Sequence, residues 1–191
     1  MVEDSTKQEN NNQGWQEACR ELIYEIVSIN DDLQIYSLDF IFPKNGLLIV
    51  LKLDNLKNPY GSPSVEECED VAKMVRHQAY DKIIELGGPE DFGVEVSSPG
   101  AERELKDVSQ FERFKELPFR VSFVDGKEDS KGSLIVTTKI LSFIGSKNDN
   151  TIWKDAVLKV KKYSKSEKKK EEGNFVIPKK NIKKTNLYLD F

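Results

Sequence analysis

The apolar residues of this chain change their period along its length, and that change limits the architectures open to it. Trp15, Ala18, Leu22, Ile26 and Ile29 recur at steps of three and four, with Cys19 and Ile23 widening the stripe. This spacing predicts an amphipathic helix of about four turns. Residues 33–42 and 47–53 are instead rich in β-branched and aromatic types, and predict two strands. Between them Pro43-Lys44-Asn45-Gly46 carries the Asn-Gly pair that hairpins favour. The helical period returns at Val65, Cys68, Ala72, Val75, Ala79, Ile83 and Leu86. Ser64 and Glu67 are spaced for a capping box ahead of it, and Gly87-Gly88-Pro89 closes it. Residues 92–97 read as a third strand. After Pro118 the pattern is all strand: 119–124, 133–144, 151–163, 175–178 and 186–190, separated by Gly, Asp, Asn and Lys-rich turns.

The order α-β-β-α-β followed by five strands predicts an α+β chain of two domains, which 191 residues can accommodate. Residues 1–13 are polar, Asn/Gln-rich and without an apolar period, and read as a disordered tail. Residues 14–106 form the N-terminal α/β domain, two helices on a three-stranded sheet, with the second helix as a crossover. Residues 107–117 form an inter-domain segment, with Asp107 and Gln110 as a capping pair before Phe111 and Phe114. Residues 118–191 form a small β-barrel or sandwich. Within it, 164–173 is a polar hairpin tip, and 179–184 has room for a single helical turn before the last strand.

Composition removes several function classes. No apolar run approaches the ~20 residues of a membrane-spanning helix, so no membrane partner is expected. Two cysteines cannot build a disulfide scaffold. No charged-then-apolar signal segment opens the chain, so the cytoplasm is the expected compartment. The formal net charge is −4, but it is unevenly placed. Residues 154–184 hold twelve Lys, no Arg and four acids, a net +8 that leaves −12 for the remainder. Such asymmetry suggests different partners for the two ends. Without Arg, contacts to phosphate from this segment are point charges rather than bidentate clamps.

Catalytic constellations are few. The single histidine, His77, lies inside the second helix with no positioned nucleophile. Cys19 and Cys68 fall on apolar stripes and read as small hydrophobes. Glu66, Glu67, Glu69 and Asp70 form the best carboxylate cluster, yet acids in a first helical turn are what the macrodipole favours. No phosphate-cradling glycine loop follows any strand. By elimination the chain reads as a binding protein.

The stretch Glu95-Val96-Ser97-Ser98-Pro99-Gly100-Ala101-Glu102-Arg103-Glu104-Leu105 resembles the EVSSPGLDRPL signature of the bacterial ribosome maturation factor RimP family. Ser64-Val65-Glu66-Glu67-Cys68-Glu69-Asp70-Val71 resembles the start of that family's helix. Phe111-Glu112-Arg113-Phe114 resembles its inter-domain segment, and Asn181-Ile182-Lys183-Lys184-Thr185-Asn186-Leu187 its closing strand. The resemblance covers roughly residues 15–190. Ala101, Glu102 and Glu104 depart from the usual Leu, Asp and Pro. The resemblance implies an N-terminal α/β domain and a C-terminal small β-barrel, Sm-like/SH3-like. It implies binding to the immature small ribosomal subunit and help in its late maturation, including entry of one ribosomal protein near the central pseudoknot. It implies neither catalysis nor a cofactor.

On this reading the partners are ribosomal RNA and a basic ribosomal protein of the small subunit, met by a monomer. The RNA- or partner-binding candidates are Arg103, Lys106, Lys161, Lys162, Lys179, Lys180, Lys183 and Lys184. Arg103 has a structural alternative, pairing with Glu102, Glu104 or Asp107 at the domain junction. Ser98, Pro99 and Gly100 are expected to set the turn at that junction. The acidic remainder would face the basic protein. Two other readings are an Sm-like regulator of messenger or small RNA, and a metal-dependent hydrolase built on Glu66, Glu69 and Asp70.

Overall fold

The computed structural model describes residues 4–44, 46–128, 130, 132–156 and 174–189. The chain divides into two compact units, residues 1–99 and 100–191. The first contains helix α1 (Asp4–Ser28), strands β1 (Leu33–Ile41) and β2 (Leu47–Asn55), helix α2 (Val65–Glu85) and strand β3 (Phe92–Ser97). This is the α-β-β-α-β order read from the sequence. Helix α1 begins inside residues 1–13, which the sequence reading leaves as a disordered tail. Extending a helix costs far less than nucleating one, so the amphipathic turns from Trp15 onward can propagate backward through Glu, Gln and Lys.

The sheet order is β1-β2-β3, with β1 antiparallel and β3 parallel to β2. Helix α2 is therefore the crossover that a parallel pair requires. Leu47, Ile49, Leu51 and Leu53 of β2 point to one face, where they meet Trp15, Cys19, Ile23 and Ile26 of α1 and Val71, Val75, Ala79 and Ile83 of α2. The buried line on α1 thus runs through Cys19 and Ile23. Ile29 lies past the helix end and is exposed. Helix α2 starts with the expected capping box: Glu67 N–H donates to Ser64 Oγ at 3.1 Å and Ser64 N–H donates to Glu67 Oε2 at 2.7 Å. At the β1–β2 turn Gly46 has φ +99° and lies against the Asp91 carbonyl, a place no Cβ could occupy.

The second unit contains helix α3 (Val108–Arg113) and strands β4 (Pro118–Glu128), β5 (Leu134–Lys147), β6 (Asn150–Asp155) and β7 (Phe175–Pro178). A 3-10 turn (Lys179–Asn181) and strand β8 (Ile182–Leu187) complete it. The strands form one antiparallel sheet in the order β7-β6-β5-β4-β8. A sequence expectation of 151–163 as one strand meets β6 ending at Asp155; residues 157–173, including the expected hairpin tip, lie outside the described residues. The sheet's two edges, β7 and β8, are joined only by the three-residue 3-10 turn. Three residues span little more than ~10 Å, so the sheet must curl strongly. Among the described residues β7 and β8 are not paired, and the sheet does not close into a barrel.

The concave side is filled by aromatic rings. Phe111, Phe119, Phe143 and Trp153 lie mutually edge-on or tilted, with centroids 5.1–6.5 Å apart. Edge-to-face geometry is what ring quadrupoles prefer. Phe111 and Phe114, read from sequence as part of the inter-domain segment, are both buried in this core.

Candidate nucleic-acid interface

The residues after Gly100 form a strap along the outer edge of β8. Leu105 N–H donates to Thr185 O at 2.7 Å, Leu187 N–H donates to Arg103 O at 2.9 Å, and Glu104 lies opposite Asn186. Arg120 grips the strap with both guanidinium nitrogens on Glu102, at 2.9 and 3.3 Å. Asn186 Nδ2 donates to Glu102 O at 3.0 Å. The Glu95–Leu105 motif is thus split. Its first part ends β3 in one unit, the division falls between Pro99 and Gly100, and its second part pairs with β8. Gly100 has φ +88°, a conformation that an L side chain holds only with strain.

The strap leads into α3. Asp107 caps that helix by accepting from Gln110 N–H at 3.0 Å, and also accepts from the Ser109 hydroxyl. Gln110 Oε1 in turn accepts from Lys106 N–H at 2.7 Å. The Ser109 hydroxyl and the Gln110 amide hold the Asp107 carboxyl below its ordinary range.

Facing the strap is the 3-10 turn and the start of β8. The register between β4 and β8 slips here: Ser122 pairs with Lys184 and Phe123 with Ile182, which makes Lys183 an inserted residue. In a regular strand Lys183 and Lys184 would point to opposite faces. The bulge lets both be exposed on one side, while Thr185 and Leu187 return to the core.

These elements enclose a cleft of about 430 Å³. Lys106, Lys179, Lys183 and Lys184 line it together with Glu104 and Asp107; half-buried Val108 and Ile182 supply its apolar surface, and the buried Leu105 and Phe111 complete the lining. Four of the lysines and arginines singled out from sequence therefore share one site, drawn from three places in the chain. Lys180 is exposed on the adjoining turn. Lys161 and Lys162 lie outside the described residues. Arg103, read from sequence either as a partner contact or as a residue fixing the junction, does not line the cleft. It is buried, with its guanidinium 5.3 Å from the centre of the Phe114 ring. Sequence reasoning missed Val108, Ile182 and Asp107 as cleft-lining residues. The capping signal at Asp107 was visible, but its approach to β8 is a tertiary contact.

The first unit carries a second, different concavity. A groove of about 600 Å³ between α1 and α2 is lined by Glu21, Glu25, Asp81 and Glu85, with Lys82 and the exposed His77. The Glu66–Asp70 cluster is spread over other work. Glu67 accepts from Asn55 and Ser64, while Glu69 and Asp70 lie 3.4 and 3.9 Å from Lys73. Among the described residues no three His, Cys, Asp or Glu side chains converge as a metal-binding group would need. None of the described helices is long and apolar enough to cross a membrane.

No family model matches the chain. Similarity to curated proteins is extensive. The chain is 30% identical to the ribosome maturation factor RimP of Leptospira biflexa over 177 residues, covering 92% of this chain and 97% of that protein. It is 29% identical to the ribosome maturation factor RimP of Leptospira interrogans over 161 residues, 83% of this chain and 88% of that one. The protein of that name from Microcystis aeruginosa is 29% identical over 107 residues, 56% of this chain and 66% of its own. The identity to the Leptospira biflexa protein runs through both units at nearly full length, so the chain belongs to the ribosome maturation factor RimP family.

Proposed function

We propose that this protein is a non-catalytic ribosome maturation factor of the cytoplasm that binds the immature small ribosomal subunit as a monomer. The observation that carries the RNA-facing part is the convergence of Lys106, Lys179, Lys183 and Lys184 on one cleft, although the whole chain is acidic. Phosphate contacts by such lysines act through counterion release, so they bind firmly at low salt and let go as salt rises. An assembly factor that must leave its particle is served by contacts of this kind. The curled five-stranded sheet is read as a small Sm-like barrel left open between β7 and β8. Ser98, Pro99 and Gly100 are assigned to the junction between the two domains, and Arg103 to holding the strap against Phe114. The acidic groove between α1 and α2 suits a basic ribosomal protein, giving the two units opposite partners.

Gradient cosedimentation with purified small and large subunits at low and high salt tests this reading. Binding confined to the small subunit, lost at high salt and lost in a folded variant with Lys179, Lys180, Lys183 and Lys184 all changed to Glu, is the expected result. Unchanged association of that variant would remove the cleft from the interface. Absence of ribosome binding at either salt would overturn the function itself.

A further inference from the structure

A surface that only neutralises phosphates needs lysines and nothing more. This cleft has two further features. Its lysines stand beside the half-buried apolar side chains of Val108 and Ile182 in a space of about 430 Å³, which is within the ~300–1,000 Å³ range of clefts that take small organic groups. It also contains two carboxylates, Glu104 and Asp107. Carboxylates repel phosphate, so their presence argues against a bare phosphate site. They accept hydrogen bonds from exocyclic amino groups, as acidic side chains do with cytosine N4. Asp107 is also fixed in place by its bonds to Ser109 and Gln110 and is an acceptor with no proton to donate. Cation rim, apolar body and acceptor together match the parts of one nucleotide: phosphate, flat base and amino group. A duplex keeps its bases stacked and paired and cannot offer that combination.

We infer that the cleft seats one unstacked, amino-bearing base of single-stranded RNA, with its neighbouring phosphates on Lys179, Lys183 and Lys184. Adenine, cytosine and guanine carry the required amino group, and uracil does not. The inference rests on the RNA-binding reading above and adds the state of the RNA and the class of base.

The test uses the full-length protein and fluorescence anisotropy with short oligo(A), oligo(C), oligo(U) and an RNA duplex as probes. Oligo(A) and oligo(C) are expected to bind roughly tenfold more tightly than oligo(U) or the duplex. Asp107→Asn keeps a capping oxygen for α3 but points an amide donor at the base, so it should erase or invert the preference over oligo(U). Val108→Trp fills the cleft and should abolish the preference while leaving duplex binding unchanged; circular dichroism establishes which variants are folded. Equal affinity for all four probes, removed by the lysine reversal, overturns this inference and leaves the RNA reading standing. A preference untouched in folded Asp107→Asn also overturns it. Binding to none of the probes overturns both.

Discussion

Neutralising Lys179, Lys183 and Lys184 to Gln should make RNA binding less sensitive to salt by an amount the structure sets in advance. All three side chains are exposed, on the 3-10 turn and at the bulged start of β8, and none belongs to the core. Their loss therefore removes charge without opening a cavity. Each lysine that replaces a counterion on a phosphate contributes about 0.7–0.9 to the slope of log affinity against log salt. Three lost contacts flatten that slope by about 2–3. Between 50 and 200 mM salt the gap between wild type and variant should then shrink about twenty- to fortyfold. The measurement is a binding isotherm on immature small subunits at several salt concentrations, with thermal unfolding as the control on the fold. A variant that binds more weakly but keeps the wild-type slope would mean that these lysines do not touch phosphate. Unchanged affinity and slope would place the RNA elsewhere on the molecule.

Three further predictions concern packing and capping within each unit. Trp153 Nε1–H donates to Thr151 Oγ1 at 2.7 Å, and Thr151 donates to Ile177 O at 2.8 Å, all buried. Thr151→Val strands both groups and should cost about 2–5 kcal/mol, whereas Thr151→Ser loses only a methyl, about 1 kcal/mol; equal urea midpoints for the two variants would refute the chain of bonds. Asp107→Ala should cost about 1 kcal/mol by uncapping α3. Because the folded carboxyl is held below its ordinary range, its stabilisation is present above the unfolded value near ~3.9 and disappears as pH falls through the lower folded value. A wild-type advantage over Asp107→Ala that persists unchanged well below that range would contradict the assignment. Burial pushes the Cys19 thiol up to about 11, so its thiolate is scarce at pH 8. Alkylation followed by mass spectrometry should label Cys19 only after unfolding; labelling at the unfolded rate in the native protein would show that α1 is not packed as described.

Much of the first unit was legible in the sequence because its signals are local. The capping box at Ser64 and Glu67 and the Val75, Ala79 and Ile83 part of the α2 stripe depend on residues within a few positions of one another, whereas Val65 and Leu86, read into that stripe, are exposed and Val71 takes the buried place instead. The register of the α1 stripe was less legible. Ile29 continues the period on paper but lies past the helix end, where the backbone no longer carries the period. In the second unit four strands were placed close to where they lie, but the last runs Ile182–Leu187 where 186–190 was expected, and the cleft was not found. Lys183 and Lys184 could be read only as charges, since a bulge against β4 decides that both face the same side.

The sequence alone determined that the chain would be α+β, that its charge would be divided, and which family's motif it carries. These follow from periodicity, composition and short-range spacing, which are properties of neighbours along the chain. The tertiary structure alone decided where the motif and the lysines lie. Arg103, an arginine in a charged run, is drawn under Phe114 because the strap pairs with a strand over eighty residues away. Lys106 meets Lys183 and Lys184 for the same reason. Non-local backbone pairing brings them together, and no local pattern encodes which distant edge a short segment will cover.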